Sequence, residues 1–274
     1  MLASLLLAIT ALTHVTGFQA PESAYWDAAS RTWYVSNVAG SETEKDGKGW
    51  ISSLHADGRS DRPGWVSGLN APKGIRSRGK TLYVSDIDEL VGIDIPNRKI
   101  VSRIKAPGAK FLNDVAVGPQ GEVYVSDTLK NAIYRCTTTC DVWVEGANLE
   151  GPNGLLVEGG RLIVAAFGLV TDPATFATRT PGRLLAVDLK TKVVTVLGNK
   201  KPIGNLDGLE RDGEDYLVTD NMAGKLLRVS RSGAVTVLKD GFKNCADIGY
   251  DATSGVIAVP EMGSGTVQFF KLEK

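Results

Sequence analysis

Histidine is nearly absent from the chain: His14 and His55 are the only two. Neither sits beside a Ser or Cys in a nucleophile motif, and no G-x-S-x-G elbow occurs, so a Ser-His-Asp hydrolase is a poor fit. Only three cysteines are present, and no further Cys or His lies close to Cys136 and Cys140, which argues against zinc. Net charge is also lacking, with 31 Lys plus Arg against 31 Asp plus Glu. Such a chain carries no electrostatic footprint for nucleic acid or an anionic membrane. Long apolar runs are missing beyond Leu2 to Leu12, and that segment is too short to span a bilayer. No stretch after it shows a convincing 3.6-residue periodicity, so a parallel α/β fold lacks the helices it needs.

What is abundant is glycine, 31 of 274 residues, set between short apolar alternations. That combination reads as an all-β chain with many turns. The hydrophobic share of 43% excludes a mainly disordered one.

One pattern recurs along the chain. It reads PESAYWDAASRTWYVSN at 21–37, PKGIRSRGKTLYVSD at 72–86 and LNDVAVGPQGEVYVSD at 112–127. It returns as PNGLLVEGGRLIVAAF at 152–167, LDGLERDGEDYLVTD at 206–220 and ADIGYDATSGVIAVPE at 246–261. The strand positions Tyr34, Tyr83, Tyr124, Ile163, Leu217 and Ile257 are 49, 41, 39, 54 and 40 residues apart, a mean of 223/5, about 45. That is the length of a four-stranded propeller blade. The expected fold is a six-bladed β-propeller with four-stranded antiparallel blades. The last unit has strands at 246–251, 256–260 and 265–272 and lacks a fourth. Leu12 to Phe18 can supply it and close the ring, leaving no open edge.

This closure bears on export. Leu2 to Leu12 resembles the apolar region of a signal peptide, although no Lys or Arg precedes it. Residues 1–11 are therefore read as a signal peptide or N-terminal extension and residues 12–274 as the propeller. Cys136 and Cys140 frame CTTTC, which could close a hairpin with a disulfide and would fit a periplasmic or secreted protein. A cytoplasmic location is the alternative. Cys245 reads as a small buried apolar residue.

In a propeller the first strand of each blade lines the central channel. Glu22, Lys73, Asn113, Asn153, Asp207 and Asp247 precede their strand markers by 12, 10, 11, 10, 10 and 10 residues. Counted this way, one register carries three carboxylates, two carboxamides and one ammonium. Each alone is compatible with a solvated turn. Together they look like a site, because burying them unpartnered would cost roughly 1–3 kcal/mol each. The oxygen set suits Ca²⁺, or else Mg²⁺ or another hard divalent cation.

The PESAYW, LND, PNG and LDG elements, in this order at blade spacing, resemble the senescence marker protein/gluconolactonase (regucalcin-like) family of six-bladed propellers. The resemblance spans about residues 17–272. It implies a catalytic divalent metal, usually calcium, held by Glu22, Asn113, Asn153 and Asp207, with Asp207 also acting as base or nucleophile. It implies a hydrolase acting on a lactone or related ester. The chain departs from the pattern at Phe111, where sugar-lactone-processing members carry Arg, so gluconolactone itself is doubtful. Lys73 adds a cation facing Asp207 across the channel, either to bind a substrate carboxylate or phosphate or to neutralise the ring. Phe111, Phe167, Lys73 and Asp247 are the expected substrate contacts. The long connections at 40–49 and 169–182 should rise on the same face, as lids or as decoration. Asp86, Asp127 and Asp220 end second strands near the mouth, as turn residues or as support for the ring.

A small-molecule substrate and a monomer are expected, with no nucleic-acid or membrane partner. Two other readings use the same scaffold. One is a non-catalytic propeller that holds a ligand or protein over a structural ion. The other is a phosphotriesterase-like hydrolase using the same ion.

Overall fold

The computed structural model describes residues 9–273. Six four-stranded antiparallel sheets follow one another along the chain. Their innermost strands are Pro21–Asp27, Pro72–Arg78, Leu112–Val117, Pro152–Glu158, Leu206–Asp212 and Gly249–Asp251. The only helix among the described residues is one 3-10 turn, Ala147–Leu149. This is the expected six-bladed propeller.

Burial follows radius. The inner strand Pro21–Asp27 is almost wholly buried, whereas the outer strands Lys99–Lys105 and Val235–Asp240 are largely exposed. The core lies between blades. Tyr34 and Ile51 of blade 1 pack with Ile75, Val84 and Val91 of blade 2, and Ile163 and Leu184 of blade 4 pack with Leu206 and Val218 of blade 5. Each blade is an amphipathic sheet that buries its faces only against its neighbours, so the ring is the folding unit.

Ile9–Thr16 pairs antiparallel with Thr266–Leu272 and becomes the outer strand of blade 6. The closing strand thus begins three residues before the expected Leu12. Most of the leader read at 1–11 lies outside the described residues. Cys136 and Cys140 are disulfide-bonded across the hairpin between the outer two strands of blade 3, and Cys245 is free and buried.

Blade 6 differs in one detail that matters below. In the other blades the pairs that open the inner strand, such as Pro72↔Asp86 and Ile75↔Val84, lie three residues apart on the inner strand and two on its partner. In blade 6 the corresponding pairs are Cys245↔Glu261 and Gly249↔Ala258, four and three residues apart. Each of its two inner strands carries one extra residue.

Candidate active site at the channel mouth

Five inner strands start with one device. A Pro or Leu pairs with the last residue of the second strand, and the ladder then skips two residues before pairing resumes: Pro21/Ala24, Pro72/Ile75, Leu112/Val115, Pro152/Leu155 and Leu206/Leu209. Proline suits a strand's first position because no ladder donor is needed there. The skipped pair behaves as a bulge that re-aims side chains out of the sheet. Its first member is Glu22, Lys73, Asn113, Asn153 or Asp207, and all five line one cavity of about 190 Å³ at the channel mouth. Its second member is Gly in blades 2, 4 and 5. A Cβ at Gly74 would stand 2.5 Å from the Asp114 Cα, and one at Gly154 would stand 2.2 Å from the Asp207 carbonyl oxygen. The K-G, N-G and D-G pairs are therefore a condition for neighbouring inner strands to approach this closely.

The acids that end the second strands hold this arrangement. Asp86 accepts the backbone N–H groups of Asn70 and Ala71, and Asp127 those of Lys110, Phe111 and Lys130. Asp220 accepts those of Asn205 and Ala223. They support the ring rather than line the cavity. A hydroxyl one residue earlier links blades: Ser85, Ser126 and Thr219 donate to the carbonyls of Asn113, Asn153 and Ala246 in the next blade.

That last bond corrects the register in blade 6. The residue equivalent to Asn113 and Asn153 is Ala246, not Asp247, because the extra residue in each strand shifts the count made from the strand marker. Asp247 does not line the mouth cavity. Its carboxylate accepts from Ser23 Oγ at 2.6 Å and lies 3.7 Å from the Arg76 guanidinium. The ring proper holds two carboxylates and one lysine.

Glu22, Asn113, Asn153 and Asp207 are 4, 6, 2 and 5% exposed. Glu22 Oε2, Asn153 Oδ1 and Asp207 Oδ1 are buried without any hydrogen-bond partner. The Thr128 hydroxyl donates to the Pro152 carbonyl, so it can only accept from Asn113 Nδ2 at 3.2 Å. This orients the Asn113 amide and leaves its Oδ1 for another partner. Asn221 Nδ2 donates to Asp207 Oδ2 at 3.0 Å, which leaves Asp207 Oδ1 as the free oxygen. Among the described residues no three His, Cys, Asp or Glu side chains are grouped to hold an ion by themselves. A hard cation here would need the Asn oxygens, and the unpartnered oxygens of Glu22, Asn153 and Asp207 fit that donor set.

Electrostatics point the same way. Burial, then the nearby Asp207 carboxylate, pushes the Glu22 carboxyl well above its ordinary range, while Lys73 opposes the shift. Burial raises Asp207 to about 7; the Asn221 hydrogen bond opposes this and the Asp114 and Glu42 carboxylates add to it. Burial lowers the Lys73 ammonium, with Glu22 opposing. Lys73 Nζ donates to the Glu42 and Ala71 carbonyls and sits 4.3 Å above the Phe111 ring. Two of its three donors are thus engaged by the protein itself.

Both long connections rise on this face. Glu42 comes from the first, and Thr175 and Phe176 from the second, where Val170–Asp172 and Ala177–Thr178 form a small hairpin. Phe111 and Phe167 line the cavity as expected. Phe176, Asn221, Met222 and Met262 also line it and were not anticipated. Asn221 immediately follows the VTD strand end, which was the available signal; Phe176 lies in an aperiodic loop and had none.

Below the ring lies a charged layer that the repeat count also missed. Arg76 stands 3.4 Å from Glu210, 3.7 Å from Asp247 and 3.9 Å from Asp114, all buried or nearly so. Arg76 and Glu210 each follow their ring residue by three positions, in strands that are otherwise apolar there.

No family model and no curated protein matches the sequence. Solved structures do match. A gluconolactonase from Xanthomonas campestris aligns over 97% of this chain and 89% of its own, at 14% identity and TM-score 0.68. A virginiamycin B lyase from Staphylococcus aureus, solved with quinupristin, aligns over 97% and 100%, at 12% identity and TM-score 0.63. A chain of a nidogen/laminin complex aligns over 77% and 76%, at 14% identity and TM-score 0.61. The likeness is one of fold. Gluconolactonase-type propellers stand among the structural neighbours, in line with the resemblance carried by the motifs, and so do propellers named for other roles. Among the described residues no helix is long and apolar enough to cross a membrane.

Proposed function

We propose that the chain is a divalent-metal-dependent hydrolase of a lactone or related ester, working at the channel mouth. The observation that carries this reading is the set of buried, unpartnered oxygens on Glu22, Asn153 and Asp207 at one level of one cavity. Leaving them so costs roughly 1–3 kcal/mol each, and a cation would offset it. Glu22, Asn113, Asn153 and Asp207 would hold the ion, with calcium favoured by the all-oxygen donors and magnesium as the alternative. Such an ion supplies Lewis-acid polarisation of an acyl oxygen. The chain's own contribution centres on Asp207. Its carboxylate, oriented by Asn221 at Oδ2, is the group placed to take a proton from water or to attack the acyl carbon.

The test has two parts. Terbium luminescence or calorimetry should report one tight calcium-competed site, weakened in Glu22→Gln and Asn153→Ala. Turnover of an ester and lactone panel should require the metal and fall about 10²–10⁴-fold in Asp207→Asn. Full activity in that variant overturns the assignment of Asp207. The likeness to a chain of a nidogen/laminin complex favours a second reading, a binding propeller with a structural ion. Metal binding with no turnover across the panel would select it. The Cys136–Cys140 disulfide favours an oxidising compartment, periplasmic or extracellular, which fractionation of the expressing cell would test.

A further inference from the structure

The mouth cavity is chemically divided. Its floor is the polar ring, and its wall is aromatic. Phe176 lies 5.2 Å from Phe111 and 6.0 Å from Phe167, ring centre to ring centre, in tilted and edge-on contacts. Met222 and Met262 line the cavity elsewhere, Met262 packing with Ala20, Val38 and Ala71.

Phe176 is held there by added structure. Blade 2 joins its second and third strands, which end at Asp86 and start at Glu89, with two residues. Blade 4 makes the same connection through a hairpin. Asp172 accepts from Ala174 N–H and the Thr175 hydroxyl, and Thr171 donates to the Ala177 carbonyl. Asn205 of blade 5 ties the hairpin down by donating to the Phe167 carbonyl and to Thr178 Oγ1. At its bend Phe176 has φ 53°, a left-handed conformation that bulky residues adopt only where the surroundings impose it. The chain holds an aromatic ring over the site in a conformation that glycine would accept more easily.

The charges limit what that wall can meet. Among the described residues Lys73 is the only cation lining the cavity, and it is 1% exposed, with two donors on carbonyls and its ammonium over Phe111. The other charged groups there are Glu22, Glu42 and Asp207. An anionic substrate finds no free cationic side chain there, and a divalent ion on the ring would already be balanced by Glu22 and Asp207. On the aromatic side a polyhydroxylated one would set hydroxyls against Phe rings, which offer them no good hydrogen-bond partner, whereas an aryl or alkyl group would be buried there. At about 190 Å³ the cavity exceeds the roughly 150 Å³ that admits a benzene ring.

We infer that Phe111, Phe167 and Phe176 form a subsite for an uncharged substrate bearing an aryl or alkyl group, a neutral aryl ester or alkyl-substituted lactone rather than a sugar lactone. The cleaved bond rests on the hydrolase reading; the subsite does not. Binding of uncleavable probes therefore separates the two. Acetophenone and gluconolactam are titrated into the whole calcium-loaded protein by calorimetry or ligand-observed NMR. Acetophenone should bind, gluconolactam should bind at least tenfold more weakly, and Phe176→Ala should weaken acetophenone about tenfold. Phe176 sits on a surface hairpin, so an unchanged melting temperature shows that the variant is folded; Phe111→Leu, at the ring packed against Phe176, gives a second reading. Equal binding of the two probes, or an acetophenone Kd within twofold of wild type in Phe176→Ala, overturns the subsite. Selective binding without ester or lactone turnover leaves the subsite standing and removes the hydrolase. Turnover that prefers gluconolactone does the reverse.

Discussion

Replacing Arg76 by Met should destabilise the propeller in a pH-dependent way. The guanidinium stands 3.4–3.9 Å from the carboxylates of Asp114, Glu210 and Asp247, with the Tyr25 ring 5.5 Å away. Met preserves much of the length and removes the charge. Breaking a buried ion pair by deleting one partner costs about 3–5 kcal/mol, because the other charge is left uncompensated. An unfolding entropy of about 2.1 cal/mol/K per residue gives about 0.6 kcal/mol/K for this chain, so the loss corresponds to about 5–9 °C in Tm. The sign with pH follows from Glu210. Burial raises its carboxyl to about 7 although Arg76 opposes the shift and Asp114 adds to it. Without Arg76 it rises further. A carboxyl that binds its proton more tightly when folded makes stability fall as pH climbs from the unfolded value, near 4.5, toward the folded one. The penalty should therefore be largest at pH 8 and should shrink at pH 5.5, where Glu210 is protonated. Thermal denaturation followed by circular dichroism at the two pH values is the assay. Adding Glu210→Gln should recover part of the loss at pH 8. A variant melting within 1 °C of wild type at pH 8, or losing more at pH 5.5, would refute the view that Arg76 is the counter-charge of this layer.

Asp127→Ala leaves the buried N–H of Phe111 and the partly buried ones of Lys110 and Lys130 without their acceptor and should cost about 1–3 kcal/mol in urea unfolding, with Asp127→Asn intermediate. Unfolding midpoints that do not change would show that these bonds do not set the entry to blade 3. Opening the Cys136–Cys140 loop with a double Ser variant should lower stability by about 2 kcal/mol, the value for a loop of about five residues. An equal loss from dithiothreitol treatment of the wild-type chain would tie the effect to the bond rather than to the hydroxyls.

The architecture was legible because each blade repeats a local grammar: a turn residue, an alternating strand, a Gly turn and a YVSD-like strand end. Glu22, Asn113, Asn153 and Asp207 were legible as members of one polar ring because bulges place them at one level whatever the loops do. Asp247 shows the limit. Counting back from Ile257 puts it at ring level, because the extra residue in each inner strand of blade 6 shifts that count; aligning ADI with NDV of blade 3 puts Ala246 there and Asp247 level with Asp114. The Arg76 layer was hidden for a related reason. Its members come from two positions of four different blades, so no single motif contains them. A charged residue in a strand expected to be apolar, as in GIRS and GLERD, was the trace they left. Phe176 left none, since a hairpin inserted between strands has no period of its own.

The closing strand has a consequence for the order of events in folding. Thr10 pairs with Lys271, and between them lies almost the whole chain. Such a contact is among the most non-local the sequence permits, and its loop-closure entropy must be met before its hydrogen bonds form. During synthesis Ile9–Thr16 leaves the ribosome before the other strands of the ring and waits for its partner until five blades have been made. Over that interval blades 1 and 6 are not yet joined, and a bare strand edge stands ready to pair with any chain that offers one. Ring closure is thus a kinetic checkpoint, passed only when the last strand arrives.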